Sequence, residues 1–381
     1  MFLDITNQRN PNLLEAGLYL HQKGLIAPNT YVIDLDTVRN NARSLALEAK
    51  SQNLELYFMT KQFGRNPLVS KAIVEAGISK AVAVDPWEAI TLAESGIDIG
   101  HVGHLVQVPS VMLDQILDLN PDQITVFSYE NAKFISEKAL KRNRKQSIIL
   151  RVVGRNDFVY PGQEGGIPFE KFENEVEKIE KLPGVIIRGV TSFPCLLAKD
   201  GEVSPTPNFH TINKAAAVLR DKGYERVEVN APSVSTTNTL QLIKENGGTQ
   251  GEPGHAFTGT TPLHISTHHP ERPAMIYVSE VSHKFNDLSY VFGGGFYARS
   301  HVQHALVGKR ITEMAKVNVI PANPENIDYY GTLQSTDLQV GDTALFSFRT
   351  QVFVKNSQVV IVENLESNPK ILGVFNSGGR R

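Results

Sequence analysis

The chain has 381 residues, of which 41% are hydrophobic and 20% charged, enough for a large core and two domains. A net charge of −2 and a pI near 6.6 exclude nucleic acid and an anionic membrane surface as main partners. The single cysteine, Cys195, excludes an internal disulfide framework; with no apolar run of about 18 residues and no basic-then-apolar leader, the expectation is a cytoplasmic protein.

In chain order, Leu13, Leu14, Leu18 and Leu20 predict a helix that fills the first ~25 residues before Gly24. Residues 30–36 read as a strand, with Asp36 or Thr37 placed to cap the helix that follows. From residue 54 an alternation sets in, with strands at 54–60, 80–84, 99–103, 123–127, 147–153, 184–193, 226–231 and 247–253 and helical patterns between most of them. Most of these strands are apolar throughout, as parallel strands covered on both faces should be. Eight such units predict an α/β fold, a closed (β/α)8 TIM-type barrel over residues 25–262. An open doubly wound sheet is the alternative, but no GxGxxG follows the first strand. Past 262 the helical patterns fade. Strand-like runs at 274–285, 288–297, 314–321, 343–348, 350–355 and 358–364, separated by turn residues, predict a second, all-β domain over 263–381. Residues 1–36 are candidates to join it.

Chemistry is suggested first by Lys61. It ends the apolar run 54–60, where a solvated charge is out of place. Barrel strand ends carry active sites, and a lysine there can have its pKa lowered by burial until the amine is a nucleophile. Other strand ends bring His101, His104, Arg151, Phe193, Asn230 and Glu252 to the same rim. The stretches APSVSTTN and GEPGH (231–238 and 251–255) put small hydroxylic residues and a glycine turn after the seventh and eighth strands, which suits a phosphate. Ser233, Ser235 and Thr236 suit capping of the next helix equally well. A lysine and a phosphate cradle on one barrel face together suggest pyridoxal 5'-phosphate, held at both ends. Arg151 and Arg155 are suited to a carboxylate or phosphate, or to the acidic helix that follows. The basic run 141–145 reads as solvated surface, and His264, His268 and His269 lie in a proline-containing connector, so no metal site is expected.

The motifs FMTKQFGRNP, VAVDPWEAI, VNAPSVSTT and GEPGHAFTG resemble those of the fold-type III pyridoxal-phosphate enzymes, the superfamily of alanine racemases and basic amino acid decarboxylases. Within it the chain most resembles the YhfX-like group of amino acid racemases. The resemblance covers residues 25–262 well and the C-terminal part more loosely. It implies Lys61 as the Schiff-base lysine, Glu252 against the pyridine nitrogen, and Phe193 stacked on the cofactor ring. It also implies Ser233, Ser235, Thr236, Gly254 and His255 around the phosphate. From their places at strand ends, His101 and Arg151 are candidates to face the substrate. An anionic Glu252 would favour the pyridinium and a quinonoid carbanion, whereas alanine racemases place an arginine there. The decarboxylases' C-terminal Cys-Asp motif is missing, since 328–333 reads DYYGTL. The expectation is thus a racemase or epimerase of a small amino acid, working by Cα proton abstraction through an external aldimine. A decarboxylase and a non-catalytic cofactor carrier are the alternatives. A two-base racemase needs an acid/base opposite Lys61; His283, Tyr297, His301, Tyr329 and Tyr330 are candidates, led by Tyr297 and Tyr330. The resemblance further implies a homodimer with shared sites.

Overall fold

The structure is a computed structural model that describes residues 2–199, 201–265, 268–294, 299–323, 325–327, 329–352 and 356–381. The chain divides into two compact units, each built from separate stretches: one of Leu45–Met59 and Gly77–Pro253, the other of Met1–Ser44, Thr60–Ala76 and Gly254–Arg381.

Strand β1 (Thr30–Asp34) belongs to the second of these. The barrel unit follows with β2 (Glu55–Met59), β3 (Lys80–Ala83), β4 (Ile99–Val102), β5 (Gln123–Val126), β6 (Gln146–Val153), β7 (Ile167–Pro168), β8 (Val185–Thr191), β9 (Leu196–Lys199), β10 (Glu202–Pro205), β11 (Glu228–Asn230) and β12 (Gln250–Gly251). Eight of them run parallel in the order β5-β4-β3-β2-β12-β11-β8-β6, and β5 pairs with β6 to close the ring. This is the predicted (β/α)8 barrel. β7 adds a short edge pairing to β6, and β9 with β10 forms a separate hairpin. Burial explains the continuous apolar runs: all four residues of β4 and of β5 are buried. Helix starts obey local chemistry. Asp85 caps Pro86–Glu94 by accepting from Glu88 N, and Ser128 caps Tyr129–Leu140 by accepting from Asn131 N. Strand β8 approaches β11 so closely at Gly189 that a Cβ there would lie 1.9 Å from the Glu228 carbonyl oxygen. Only glycine fits.

The barrel interior is polar near its rim. The side chain of Gln123 donates to Gln250 Oε1 at 3.0 Å, Asn230 Nδ2 reaches the same oxygen at 3.3 Å, and Thr191 Oγ1 donates to Asn230 Oδ1 at 2.8 Å. All four residues are buried, so these bonds replace water for groups that could not be left bare.

In the other unit the first ~25 residues form two helices, Phe2–Arg9 and Pro11–Gln22. The single predicted helix breaks at Pro11, which lacks an N–H and disfavours a helical Asn10. The sheet comprises β1 and β13 (Met275–Phe285), β14 (Leu288–Phe292), β15 (His304–Gly308), β16 (Ala315–Ile320), β17 (Tyr330–Leu333), β18 (Thr343–Phe346), β19 (Gln358–Glu363) and β20 (Lys370–Asn376). β13, β14, β17, β16, β15 and β18 pair antiparallel in a closed ring, which β13 completes by pairing with both β14 and β18. β1 lies between β13, antiparallel, and β19, parallel. Its five residues are all buried. The described part of the run 350–355 is not a strand, although Thr350 and Val352 are buried. Among the described residues no helix is long and apolar enough to cross a membrane.

Candidate active site

In the barrel unit, the chain just past β12 carries Glu252 into a fully buried set of side chains. Its Oε1 lies 2.7 Å from His101 Nδ1 and accepts from Asn230 Nδ2 at 3.1 Å. His101 Nε2 lies 2.5 Å from Thr125 Oγ1. The Glu252 backbone N–H donates to Ser235 Oγ at 3.2 Å. Burial alone would raise the Glu252 pKa; the neighbouring His104 and His101 imidazoles, with the hydrogen bonds from His101 and Asn230, outweigh it and hold the carboxyl below its ordinary range. An ionised carboxylate only accepts, so the His101 nitrogen facing it carries a hydrogen. The second oxygen, Oε2, is buried and has no hydrogen-bond partner among the described residues. That atom is the chemical signature of the site. A buried carboxylate oxygen left without a donor is costly unless a ligand supplies one.

A ring cluster flanks this carboxylate. His101 and His104 lie 5.6 Å apart between centroids, and His104 meets Phe193 edge-on at 5.6 Å. Phe193 is also 5.8 Å from Tyr160. Arg151, at the end of β6, is 1% exposed. Its Nη2 donates to the Gln163 carbonyl at 2.8 Å and its Nη1 to the His104 carbonyl at 3.3 Å, with the guanidinium 4.8 Å from the Phe127 ring centroid. No carboxylate pairs with it among the described residues, its Nε has no acceptor, and burial brings its pKa down to about 10. Arg155 is exposed. The hydroxyls expected around a phosphate are engaged locally. Ser233 Oγ donates to the Leu196 carbonyl at 2.6 Å, Ser235 accepts from Glu252, and Thr236 forms a capping box with Thr239. Ser233 and Val234 both have positive φ, 95° and 48°, an uncommon conformation for residues other than glycine.

In the other unit, Lys61 opens a single turn, Lys61–Phe63, immediately after β2, and is half-buried. Asn66 caps the next helix through Leu68 N and Val69 N. Gln62 Nε2 lies 3.4 Å from His255 Nδ1. If the amide donates there, Nε2 of His255 bears the hydrogen; that atom and Gln62 Oε1 are buried without partners among the described residues. Burial, then the positive charges of Arg349 and Lys61, push the His255 pKa well below its ordinary value, so the ring is neutral. At Gly254 a Cβ would lie 2.6 Å from the Gln62 amide. Among the candidates for the second acid/base, Tyr330 starts β17 and is 41% exposed; it meets His283 edge-on at 4.8 Å, and His283 stacks on Tyr290 at 4.6 Å. Tyr329 is exposed, as is His301, and Tyr297 lies outside the described residues. His264 Nδ1 accepts from Thr261 N, and its Nε2 lies 3.3 Å from Glu271 Oε2.

His101 was expected toward the substrate; both its nitrogens are engaged inside the barrel wall instead. Thr125 escaped sequence reading, as did Asn230's role as the link between Gln250 and Glu252. The available signal was alternation: Gln250 and Glu252 are two residues apart and so face the same way.

Residues 33–262 match the family described as "Alanine racemase, N-terminal domain", and residues 276–371 match "YhfX-like, C-terminal domain". The chain is 41% identical to "Uncharacterized protein YhfX" of Escherichia coli (strain K12), covering 100% of this chain and 99% of that one. Its fold is similar to that of an alanine racemase of Clostridium difficile 630 in complex with cycloserine, with TM-score 0.67 and 16% identity, covering 92% of this chain and 99% of the other. It is similar also to D-threonine aldolase from Filomicrobium marinum, with TM-score 0.69 and 15% identity over 92% and 95% of the two chains. The chain therefore belongs to the alanine racemase family of fold-type III proteins, in its YhfX-like branch, and its cofactor is pyridoxal 5'-phosphate.

Proposed function

We propose that the chain is a pyridoxal-phosphate-dependent racemase of a small amino acid, working as a homodimer. The observation that carries the cofactor assignment is Glu252: a buried, ionised carboxylate whose Oε2 has no donor among the described residues suits the N–H of a protonated pyridine ring. The buried Gln62 Oε1 and His255 Nε2, without hydrogen-bond partners among the described residues, suit a polar ligand. Membership of the alanine racemase family supports racemisation over other outcomes.

When bound, the cofactor supplies an electron sink for negative charge developing at Cα. The chain supplies the rest. Lys61 Nζ would hold the cofactor and take or return the Cα proton on one face. The hydroxyl of Tyr330, or that of Tyr297, would do so on the opposite face, from the partner subunit. Glu252 Oε2 would accept from the ring nitrogen, and Phe193 would serve the ring. Ser235 and Thr236, the turn at Ser233, and Gly254 with His255 would serve the phosphate, and Arg151 the substrate carboxylate. The ionised Glu252 also favours a second reading, an amino acid decarboxylase, because a protonated ring withdraws electrons most strongly.

The test is borohydride reduction of the purified protein followed by peptide mass analysis. A pyridoxyl group on Lys61 is expected, and its loss in Lys61→Ala. Chiral chromatography of single L-amino acids incubated with the protein then separates appearance of the D-form from release of CO2. Release of CO2 without any D-form would replace the racemase with the decarboxylase.

A further inference from the structure

We propose that His101 is a positioning residue that makes this site selective for a ligand whose ring nitrogen carries a proton. The inference rests on the cofactor reading above. Glu252 Oε1 already has two partners, His101 Nδ1 at 2.7 Å and Asn230 Nδ2 at 3.1 Å, so its acceptor capacity is spent. The carboxylate plane is thereby fixed, and Oε2, buried without a hydrogen-bond partner among the described residues, is left to accept from a ligand. Thr125 Oγ1, 2.5 Å from His101 Nε2, locks the ring from behind. All four side chains are buried. Without His101, Oε1 would lose its strongest donor, and the carboxylate would rotate or take up a proton itself. Either change ends its preference for an N–H donor over a C–H group.

Two ligands read this directly on the cofactor-free protein: pyridoxal phosphate, and its carbocyclic analogue with CH in place of the ring nitrogen. Dissociation constants come from fluorescence quenching. Wild type should prefer pyridoxal phosphate by about tenfold or more, the range of a charged hydrogen bond. His101→Phe should bring that ratio within about threefold, His101→Asn should restore part of it through an amide donor, and Thr125→Val should narrow it. A merely structural His101 would weaken both ligands equally and leave the ratio intact, which overturns the proposal while leaving the cofactor reading in place. Equal binding of both ligands by wild type overturns the Glu252 contact and this proposal with it. A wild type that binds neither and yields no reducible adduct on Lys61 refutes the cofactor reading itself. Should His101→Phe fail to fold by circular dichroism, the His101→Asn and Thr125→Val ratios decide: both at the wild-type value would overturn it.

Discussion

Arg151→Met should cost the cofactor-free protein almost no stability while removing its hold on carboxylates. Lowering the guanidinium from its ordinary value to about 10 corresponds to about 3 kcal/mol against the folded state, at about 1.4 kcal/mol for each tenfold in proton affinity. The charge is protonated in both folded and unfolded chains at neutral pH, so this cost is fully present there and is relieved only as pH rises above about 10. Methionine removes it. The substitution forfeits the bond to the Gln163 carbonyl at 2.8 Å, a weaker one to His104 at 3.3 Å, and the Phe127 contact, together about 3–4 kcal/mol. The two sides nearly cancel. Thermal unfolding should shift by no more than about 4 °C. Binding of an amino acid to the loaded protein, followed by spectral titration, should weaken by about 10- to 100-fold, whereas the corresponding amine without a carboxylate should bind unchanged. An arginine that serves only the fold behaves otherwise: its loss lowers stability and weakens acid and amine alike. A fall in Tm well beyond 4 °C, or equal weakening of acid and amine, would refute the reasoning.

Three further outcomes are expected. Tyr330→Phe should slow racemisation by about 10²–10⁴-fold, with hydrogen exchange at Cα through Lys61 continuing in deuterated water; unchanged turnover passes the role to Tyr297. Gly189→Ala should destabilise the barrel by about 3 kcal/mol or prevent folding, because the new methyl would meet the Glu228 carbonyl; urea unfolding measures it. Glu252 has a depressed folded pKa, so its stabilising contribution is present above the ordinary carboxylate range and is lost as pH falls through the folded value. Glu252→Gln should therefore flatten the acid limb of the stability curve, followed by denaturant titration between pH 6 and pH 3; an unaltered limb would count against an ionised Glu252.

Periodicity carried the fold into view, because burial on both faces writes an apolar run at most barrel strands, and Lys61 stood out as the charge that ended one. The two-residue β12, Gln250–Gly251, was legible only from the βα spacing, since glycine and proline make its stretch 247–253 a poor strand by composition. What one dimension hides is pairing across it. The contact of His101 with Glu252 spans 151 positions, and no local pattern distinguishes a histidine that lines a pocket from one that braces a carboxylate. The hydroxyls of 233–236 illustrate the same ambiguity: capping and ligand binding ask for the same residue types, and in the folded chain Thr236 caps. Strands β15, β17 and β20 were missed because their half-exposed alternation is broken by glycine and charge.

The position of β1 has a consequence for how the protein is made. Thr30–Asp34 pairs with Met275–Val278 on one side and with Gln358–Val362 on the other. A ribosome delivers residue 362 more than 300 residues after β1, some tens of seconds later at about 5–20 residues per second. Until β13 is made β1 is a strand with two open edges, and one edge stays open until β19 arrives; such edges recruit other chains. The barrel strands, complete by Gly251, can close first. Synthesis thus separates an early-folding unit from one that waits for its last strands, and a chain truncated near residue 350 should hold a formed barrel and a sheet whose β1 still lacks its β19 edge.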